Sequence, residues 1–202
     1  MWWIKIRSED NSITKIPLFL VVIFIALLLS CVKNPTYHYA PPYPISYNID
    51  DNSLTINKDF NTVWTALMEY ATSTLFAIKA FEKDSGLLTL QFGAGDPSMF
   101  VDCGYLGSGG RPYLTLLQTS GVGDANLDGS MNIFVKPSST NMTQIKINAR
   151  YVLLIKDGGY QQTFAFDTGG YDKKQISTIL ITCQPTHKAE QTILEGIKKI
   201  AQ

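Results

Sequence analysis

Apolar residues recur at helical spacing in two parts of the chain. Asp59 precedes the first part and is placed to cap a helix. The apolar face of that part consists of Phe60, Val63, Trp64, Leu67 and Ala71. Pro185 and Thr186 precede the second part, with Thr186 as the expected cap. Its apolar face consists of Ala189, Ile193, Leu194, Ile197 and Ile200. The pattern therefore predicts two amphipathic helices, the second at the end of the chain.

Alternating apolar and polar residues predict strands in much of the remaining chain. The predicted strands are residues 53–56, 76–82, 87–92, 130–136, 143–155, 160–166 and 178–181. Turns at residues 83–86 and 156–159 connect neighbouring strands of this set. One buried face is expected for the strand at 143–155, formed by Ile145, Ile147, Ala149, Tyr151 and Leu153. We therefore expect a single α+β domain in which a curved antiparallel sheet packs against two helices.

Residues 93–129 are the least regular part of the pattern, because glycines interrupt it repeatedly. Within this part we interpret residues 113–117 as a short strand. The clusters Gly93–Gly95 and Gly107–Arg111 lack the Gly-Lys-Ser/Thr ending of a phosphate-binding loop. We interpret both as ordinary loop glycines.

The N-terminal part carries a different signal, an apolar run at residues 16–29 behind Lys5, Arg7 and Lys15. The run is shorter than the roughly 20 residues of an ordinary membrane-spanning helix. It ends in Leu28-Leu29-Ser30-Cys31, which resembles the lipobox of bacterial lipoprotein signal peptides. The resemblance implies recognition of Leu28 and Ser30, cleavage before Cys31, and attachment of diacylglycerol and a fatty acid such as palmitate to Cys31. An uncleaved N-terminal anchor helix is the alternative.

The lipobox resemblance divides the chain into a signal peptide (1–30), a lipidated cysteine with a tether (31–52) and an α+β domain (53–202). The tether is rich in proline and tyrosine and has no hydrophobic period, so it is predicted to be extended. At about 3.1 Å per residue it would reach on the order of 60 Å. A docking peptide for an aromatic groove is the alternative interpretation. Val32 follows the cysteine where retention signals place Asp, which implies the outer membrane, facing the periplasm.

The charge balance argues against a nucleic-acid partner. The chain of 202 residues has 17 basic and 17 acidic residues, and removal of residues 1–30 leaves a net charge of −1. The basic residues are scattered along the sequence and do not form a cluster. The expected partners are therefore a membrane, through the lipid anchor, and other envelope proteins.

Two cysteines remain once Cys31 is assigned to lipid. Cys103 and Cys183 form an even pair in a compartment that permits oxidation, so a disulfide is predicted between them. The alternative for Cys103 is a catalytic thiolate, which needs a base. The available histidines are His38, in the tether, and His187, at the start of the last predicted helix.

The order of predicted elements after the tether resembles a known family. Residues 60–67, leading through Phe76-Ala77-Ile78 to the turn and strand at 83–88, resemble the repeat unit of helix-grip outer-membrane lipoproteins of the β-barrel assembly machine. The resemblance covers about 40 residues and one such unit. It implies a helix-grip-like fold with a scaffold or interaction role, and it implies no catalytic residues.

One motif suggests a metal. Asp124, Asn126 and Asp128 precede Gly129 in the order that opens calcium loops, but the twelfth position holds Val135 in place of a carboxylate. A turn leading into the next strand is the preferred interpretation, and a calcium site completed by another loop is the alternative. No cofactor is expected. His-Glu-x-x-His and Gly-x-Ser-x-Gly do not occur in the sequence, so we do not expect an enzyme.

Four tyrosines fall in or beside predicted turns: Tyr105, Tyr113, Tyr160 and Tyr171. They are candidates for recognition of a partner, since tyrosine offers a large contact area at little entropy cost, and edge packing is the alternative. The first functional hypothesis is a lipid-anchored, non-enzymatic scaffold or interaction subunit of a membrane assembly or secretion complex. The second is a periplasmic carrier that encloses a small ligand or lipid in a cavity between the sheet and the C-terminal helix.

Overall fold

The structure, a computed structural model, describes residues 38–44, 52–107, 109–121 and 123–200. The predicted signal peptide with Leu28 and Ser30, the lipidated Cys31 and the rest of the tether lie outside the described residues. The described part is α+β, with three helices and antiparallel sheets, which confirms the predicted class.

In the described part of the chain, the first strand lies in the predicted tether and the last element is a helix. The helices are α1 (Phe60–Ser73), α2 (Tyr113–Ser120) and α3 (Lys188–Ile200), and one turn of 3-10 helix covers Pro97–Met99. The strands are β1 (Tyr39–Ala40), β2 (Ser53–Ile56), β3 (Ala77–Glu82), β4 (Leu87–Phe92), β5 (Val101–Asp102), β6 (Tyr105–Leu106), β7 (Arg111–Pro112), β8 (Gly123–Ser139), β9 (Met142–Asp157), β10 (Tyr160–Asp167), β11 (Asp172–Ile176) and β12 (Ile179–Pro185).

A six-stranded antiparallel sheet forms the main layer. Its strand order is β10-β9-β8-β4-β3, and β2 pairs with the first part of β9. Strand β2 fits there because β10 pairs with residues 150–157 of β9 and leaves residues 143–146 open. Two three-stranded sheets accompany it, in the orders β1-β6-β7 and β11-β12-β5. The predicted meander of three strands is therefore confirmed, as the β8-β9-β10 part of this sheet.

The inner face of the main sheet forms the core with α1 and α3. The predicted buried residues of β9 all face inward, and Ile145, Ile147 and Tyr151 have no exposed surface. Val63 and Leu67 of α1 are equally buried, as are Ile193 and Ile197 of α3. Each such side chain contributes about 1.5–3 kcal/mol on leaving water. The two predicted helices are therefore held by the apolar faces that the sequence indicates.

The two predicted caps differ in quality. At α1 the Asp59 Oδ1 accepts hydrogen bonds from the Asn61 and Thr62 backbone N–H groups, at 2.9 and 3.2 Å. At α3 the Thr186 hydroxyl donates to the Met99 carbonyl (2.9 Å), and its oxygen lies 3.5 Å from the Lys188 N–H. The contact of Thr186 with the 3-10 turn is therefore shorter than its capping contact with the helix. Ile200, predicted to be on the apolar side, is 45% exposed because it stands at the helix end.

The predicted strand at residues 113–117 is wrong, because this segment is the first part of helix α2. Its buried residues are Tyr113, Leu114 and Leu117, a spacing that places them on one side of a helix. Pro112 stands at the N-cap position, and Gly121 ends the helix in a left-handed conformation with φ +67°. A glycine in this conformation commonly ends a helix, so Gly121 was a sequence signal for the C-terminal boundary of α2.

The disulfide between Cys103 and Cys183 is present, as predicted. Both cysteines are buried, and the bond joins the glycine-rich segment to strand β12. Beside it, Gln184 and Pro185 of β12 pair with Asp102 and Val101 of β5. The disulfide therefore fixes a segment that has few long elements of its own.

Part of the predicted tether lies on the domain. Strand β1 pairs with β6, and the Tyr39 hydroxyl accepts a hydrogen bond from the Thr182 N–H at 2.8 Å. Gln184 donates its side-chain amide to the Tyr43 carbonyl at 2.7 Å. Gly104 (φ +77°) permits this approach, since a Cβ there would lie 2.3 Å from the Ala40 carbonyl oxygen. Residues 38–44 are therefore part of the folded unit and do not act as a free spacer.

Candidate functional site

An apolar groove of about 600 Å³ lies between the end of α1, the end of β4, the 3-10 turn and the first half of α3. Its apolar lining consists of Leu75, Phe76, Phe92, Met99 and Phe100. Its polar lining on α3 consists of Lys188, Gln191, Thr192 and Glu195. The groove thus has an apolar floor with one basic and one acidic side chain on the helical wall.

The floor of the groove is a cluster of aromatic rings. The ring centroid of Phe92 lies 5.7 Å from that of Phe76 and 5.2 Å from that of Phe100, both edge-on. A third edge contact, at 5.6 Å, joins Phe92 to the buried Tyr151 of β9. Such pairs add about 0.5–1.5 kcal/mol each beyond their buried area. The floor is therefore continuous with the core and has a fixed shape.

The rim of the groove exposes large apolar side chains to solvent. Leu75 is fully exposed, and Met99 is 52% exposed. Leu75 is held out because α1 ends at Ser73, and the next residue, Thr74, is extended and donates its hydroxyl to the Ala71 carbonyl. Met99 is positioned by the 3-10 turn, which Asp96 caps by accepting from the Ser98 N–H at 2.9 Å. Exposed apolar residues beside a concave apolar floor are typical of a binding surface.

A buried carboxylate lies beneath the first turn of α3. Glu190 is 1% exposed, and its oxygens accept hydrogen bonds from the Tyr151 hydroxyl (2.7 Å) and the Thr168 hydroxyl (2.9 Å). The His187 Nδ1 lies 3.8 Å from the Glu190 Oε1. Burial raises the pKa of Glu190, but the contacts with His187, Tyr151 and Thr168 outweigh burial and hold this pKa below its usual value. The carboxylate therefore ties α3 to the main sheet.

The alternative of a catalytic thiolate at Cys103 is excluded by the structure. The Cys103 sulfur is bonded to that of Cys183, so it is not available as a nucleophile in this state. His187, one of the two candidate bases, contacts Glu190 and lies in the buried layer under α3.

The motif of Asp124, Asn126 and Asp128 is not a turn, and that prediction is wrong. These residues lie inside β8, which pairs with β9 from Gly123 onward, so their side chains follow one another along one face of an extended strand. Asn126 donates to Asp124 at 2.8 Å, and Gln91 donates to Asp128 at 2.9 Å. Within the described residues there is no group of three or more His, Cys, Asp or Glu side chains placed to hold a metal ion.

The four candidate tyrosines divide into buried and exposed residues. Tyr113 is 2% exposed and donates to the Asp157 carboxylate at 2.8 Å, and burial raises its pKa. It serves packing. Tyr105 is half-buried, with its ring centroid 6.5 Å from that of Tyr43. Tyr160 and Tyr171 are exposed and stay candidates for recognition, the latter with the Lys173 amine 5.0 Å from its ring centroid.

The groove was not predicted from the sequence, although most of the elements that form it were. Leu75 follows a predicted helix and Met99 lies in the glycine-rich segment, and neither falls on a periodic apolar face.

In the described part of the chain, no helix is long and apolar enough to cross a membrane. No protein-family model matches this sequence, and no curated protein matches it.

Proposed function

We propose that the protein is a lipid-anchored, non-enzymatic subunit of a cell-envelope assembly, and that its apolar groove holds apolar side chains of another envelope protein. The observation that carries this proposal is the fully exposed Leu75 beside Met99, at the rim of an aromatic floor. Exposure of such side chains is unfavourable in an isolated protein, and coverage by a partner removes it.

Features of the sequence support a location in the cell envelope. The lipobox-like residues Leu28, Ser30 and Cys31 support a lipid anchor, for which a second acyl chain gives stable attachment. A buried disulfide is expected in an oxidising compartment such as the periplasm, and the resemblance at Cys31 and Val32 implies the outer membrane. The anchor is tested by measuring the intact mass of protein from its native host. We expect a chain that starts at Cys31 and carries bound fatty acids. An unprocessed start without lipid would contradict it.

Photocrosslinking tests the groove as a partner site. A photoreactive amino acid is placed at Leu75 or Met99 in the full-length chain, and irradiation of native membranes should yield a defined crosslinked protein of constant mass. The control is Leu180 on β12, which is 57% exposed but does not line the groove. Crosslinks of equal yield at Leu180, or none at Leu75 and Met99, would contradict the proposal.

A small-ligand carrier is the second candidate, and the size of the groove favours it. A volume of about 600 Å³ falls in the range of small-molecule sites, which are mostly apolar with few polar groups. The ligand would sit at the end of the helix–sheet layer, since side chains such as Ile193 and Ile197 fill the layer itself. Native mass spectrometry separates the two functions, because a carrier releases a bound lipid or metabolite of defined mass.

A further inference from the structure

The outer face of the main sheet holds a second cavity, of about 660 Å³, which shares no lining residue with the apolar groove. Six of its lining residues are polar residues of β8, β9 and the segment before β2. They are Asn52, Ser130, Asn132, Lys146, Asn148 and Arg150. Such a concentration of amide and cationic groups on one sheet face indicates a polar ligand.

The strand register arranges these residues in two rows across the sheet. In one row Arg150 stands between Ser130 on β8 and Asp167 on β10. In the next row Asn132 of β8 stands opposite Asn148 of β9. Directly opposite side chains on one face of a sheet lie about 4.5–5.5 Å apart at their Cβ atoms. The rows therefore place these hydrogen-bonding groups side by side along the wall of the cavity.

The asparagine row has its acceptors occupied and its donors free within the described residues. The Asn132 Oδ1 accepts from the Thr89 hydroxyl at 2.9 Å, and the Asn148 Oδ1 accepts from the Asn52 amide at 3.3 Å. These bonds orient both side chains, and their amide N–H groups have no hydrogen-bond acceptor among the described residues. Oriented N–H donors suit the hydroxyl or carboxylate oxygens of a ligand.

The two cations of the cavity, Lys146 and Arg150, form no ion pair among the described residues. Among the described residues, the ion pairs within 4.0 Å join Lys174 to Asp172 and His187 to Glu190. Lys146 and Arg150 belong to neither pair, even though Asp167 is the cross-strand neighbour of Arg150. With one carboxylate against two cations, the cavity favours an anion.

Asn52 adds a buried acceptor to the edge of this cavity. It is 3% exposed, and its Oδ1 has no hydrogen-bond partner in the described part of the chain. Its side chain is held at the edge of the cavity because its amide group donates to the Ile147 carbonyl and to the Asn148 Oδ1. The amide donors of the asparagine row, beside two cations, suit a ligand that carries hydroxyl groups as well as a negative charge.

An aromatic side chain extends the surface. A neighbouring cavity of about 280 Å³ is lined by Phe134, Lys136 and Gln144, and it shares Lys146 and Asn148 with the first. Phe134 stands between Lys146 of β9 and Leu87 of β4 in the register and is half-buried on this face. The face of an aromatic ring packs against C–H groups, such as those on one side of a sugar ring.

We propose that this outer surface binds a short oligosaccharide whose sugars carry carboxylate groups. One sugar ring packs on Phe134, hydroxyl groups bond to the asparagine row, and carboxylates pair with Lys146 and Arg150. From Gln144 to Arg150 the surface runs for six residues of β9, roughly 20 Å, which suits an oligosaccharide better than a single sugar. The proposal does not depend on a partner in the apolar groove.

Titration calorimetry on the full-length chain in detergent micelles, with the disulfide intact, tests this inference. The probes are tetragalacturonate, which carries a carboxylate on each sugar, maltotetraose, which is neutral, and tetraglutamate, which is acidic but has no sugar ring. We expect binding of tetragalacturonate, at least about tenfold weaker binding of maltotetraose, and no measurable binding of tetraglutamate.

Three variants locate the site. Arg150→Gln and Lys146→Gln should each weaken tetragalacturonate binding by about tenfold, and Phe134→Ser should abolish it. Lys79→Gln is the matched control, because it makes the same charge change on an exposed residue of the same sheet, away from both cavities. It should bind as the unchanged protein does.

Three results would overturn the proposal. If tetraglutamate bound as tightly as tetragalacturonate, the surface would be a site for acidic peptides. If maltotetraose bound as tightly as tetragalacturonate, the carboxylates would not be needed for binding. Equal losses in Lys79→Gln and Arg150→Gln would show general charge attraction without a site. Because the substituted side chains are on the outer face, unchanged thermal unfolding of each variant checks that the fold is intact.

Discussion

Glu190 is the side chain whose protonation is expected to lower the stability of the fold at acidic pH. Its folded pKa lies below the usual value, so the unfolded chain binds the proton more readily than the folded one. The stabilisation it provides is therefore complete above the unfolded pKa of about 4.3 and is lost as the pH falls through the lower folded pKa. Its partners Tyr151, Thr168 and His187 come from β9, the β10–β11 turn and the start of α3.

Replacing Glu190 tests this dependence. Glu190→Gln should lower the free energy of unfolding by about 2 kcal/mol at pH 7, because it removes hydrogen bonds to a charged acceptor. The difference between the variant and the unchanged protein should shrink as the pH falls below about 4.3. Urea unfolding at pH 7 and at successively lower pH measures both. Glu195→Gln, at an exposed site on the same helix, should show no such pattern, and a constant difference for Glu190→Gln would contradict the assignment.

Gly196 is needed for the contact between α1 and α3. A Cβ at this position would lie 2.0 Å from the Tyr70 ring, whose hydroxyl donates to the Thr192 carbonyl at 3.0 Å. Gly196→Ala should therefore destabilise the protein by about 1–3 kcal/mol, although alanine favours a helix. In a Tyr70→Ser background the same change should become neutral or stabilising. Thermal unfolding of the four proteins gives the coupling, and an equal penalty in both backgrounds would contradict this role.

Among the elements, the glycine-rich segment depends most on its covalent link. The disulfide spans 80 residues and joins this segment to β12, so its removal frees a long loop in the unfolded chain. Replacing both Cys103 and Cys183 by serine should lower the free energy of unfolding by roughly 4 kcal/mol. Denaturant unfolding of the variant and of the unchanged protein, without reductant, measures the difference. An unchanged midpoint would show that the link adds nothing to stability.

The long elements could be predicted from the sequence because each repeats its pattern many times. Helices α1 and α3 and strands β4, β8, β9 and β10 each carry several turns or alternations with one apolar face. Helix α2 could not be distinguished in this way, since five residues containing Tyr113, Leu114 and Leu117 fit a strand or a helix equally. Residues 124–128 were misassigned because their motif is local, whereas pairing with the second half of β9 is set by the whole hairpin.

At the level of the whole molecule, the candidate sites depend on contacts between distant parts of the chain. Leu75, Met99 and Glu195 meet at one groove although more than 100 residues separate the first and the last. The cavity on the outer face likewise needs the register of β8, β9 and β10 before Ser130, Arg150 and Asp167 become neighbours. No periodic pattern in a single segment contains this information, so both sites became visible only in the folded chain.

Strand β3 is an edge strand of the main sheet, where pairing with another molecule must be prevented. This strand ends the sheet order, and its pairing with β4 is interrupted by a bulge between Ile78 and Ala80, where the exposed Lys79 lies. A charge and a bulge on an edge strand oppose pairing with another molecule. Lys79→Val should therefore increase self-association, measured by light scattering across protein concentrations. Lys156→Val on β9, an interior strand of the same sheet with an exposed lysine, is the control, and equal association of both variants would contradict a special role of the edge.

The attachment of residues 38–44 beside the disulfide has a mechanical consequence. Tyr39 contacts Cys103 and Thr182 at the point where the covalent bond joins the two segments. Tension applied from the N-terminal side would reach this point early, and the covalent bond would carry the load to β12. The hydrogen bonds of the main sheet would then bear little of the force until the Tyr39 contact had failed.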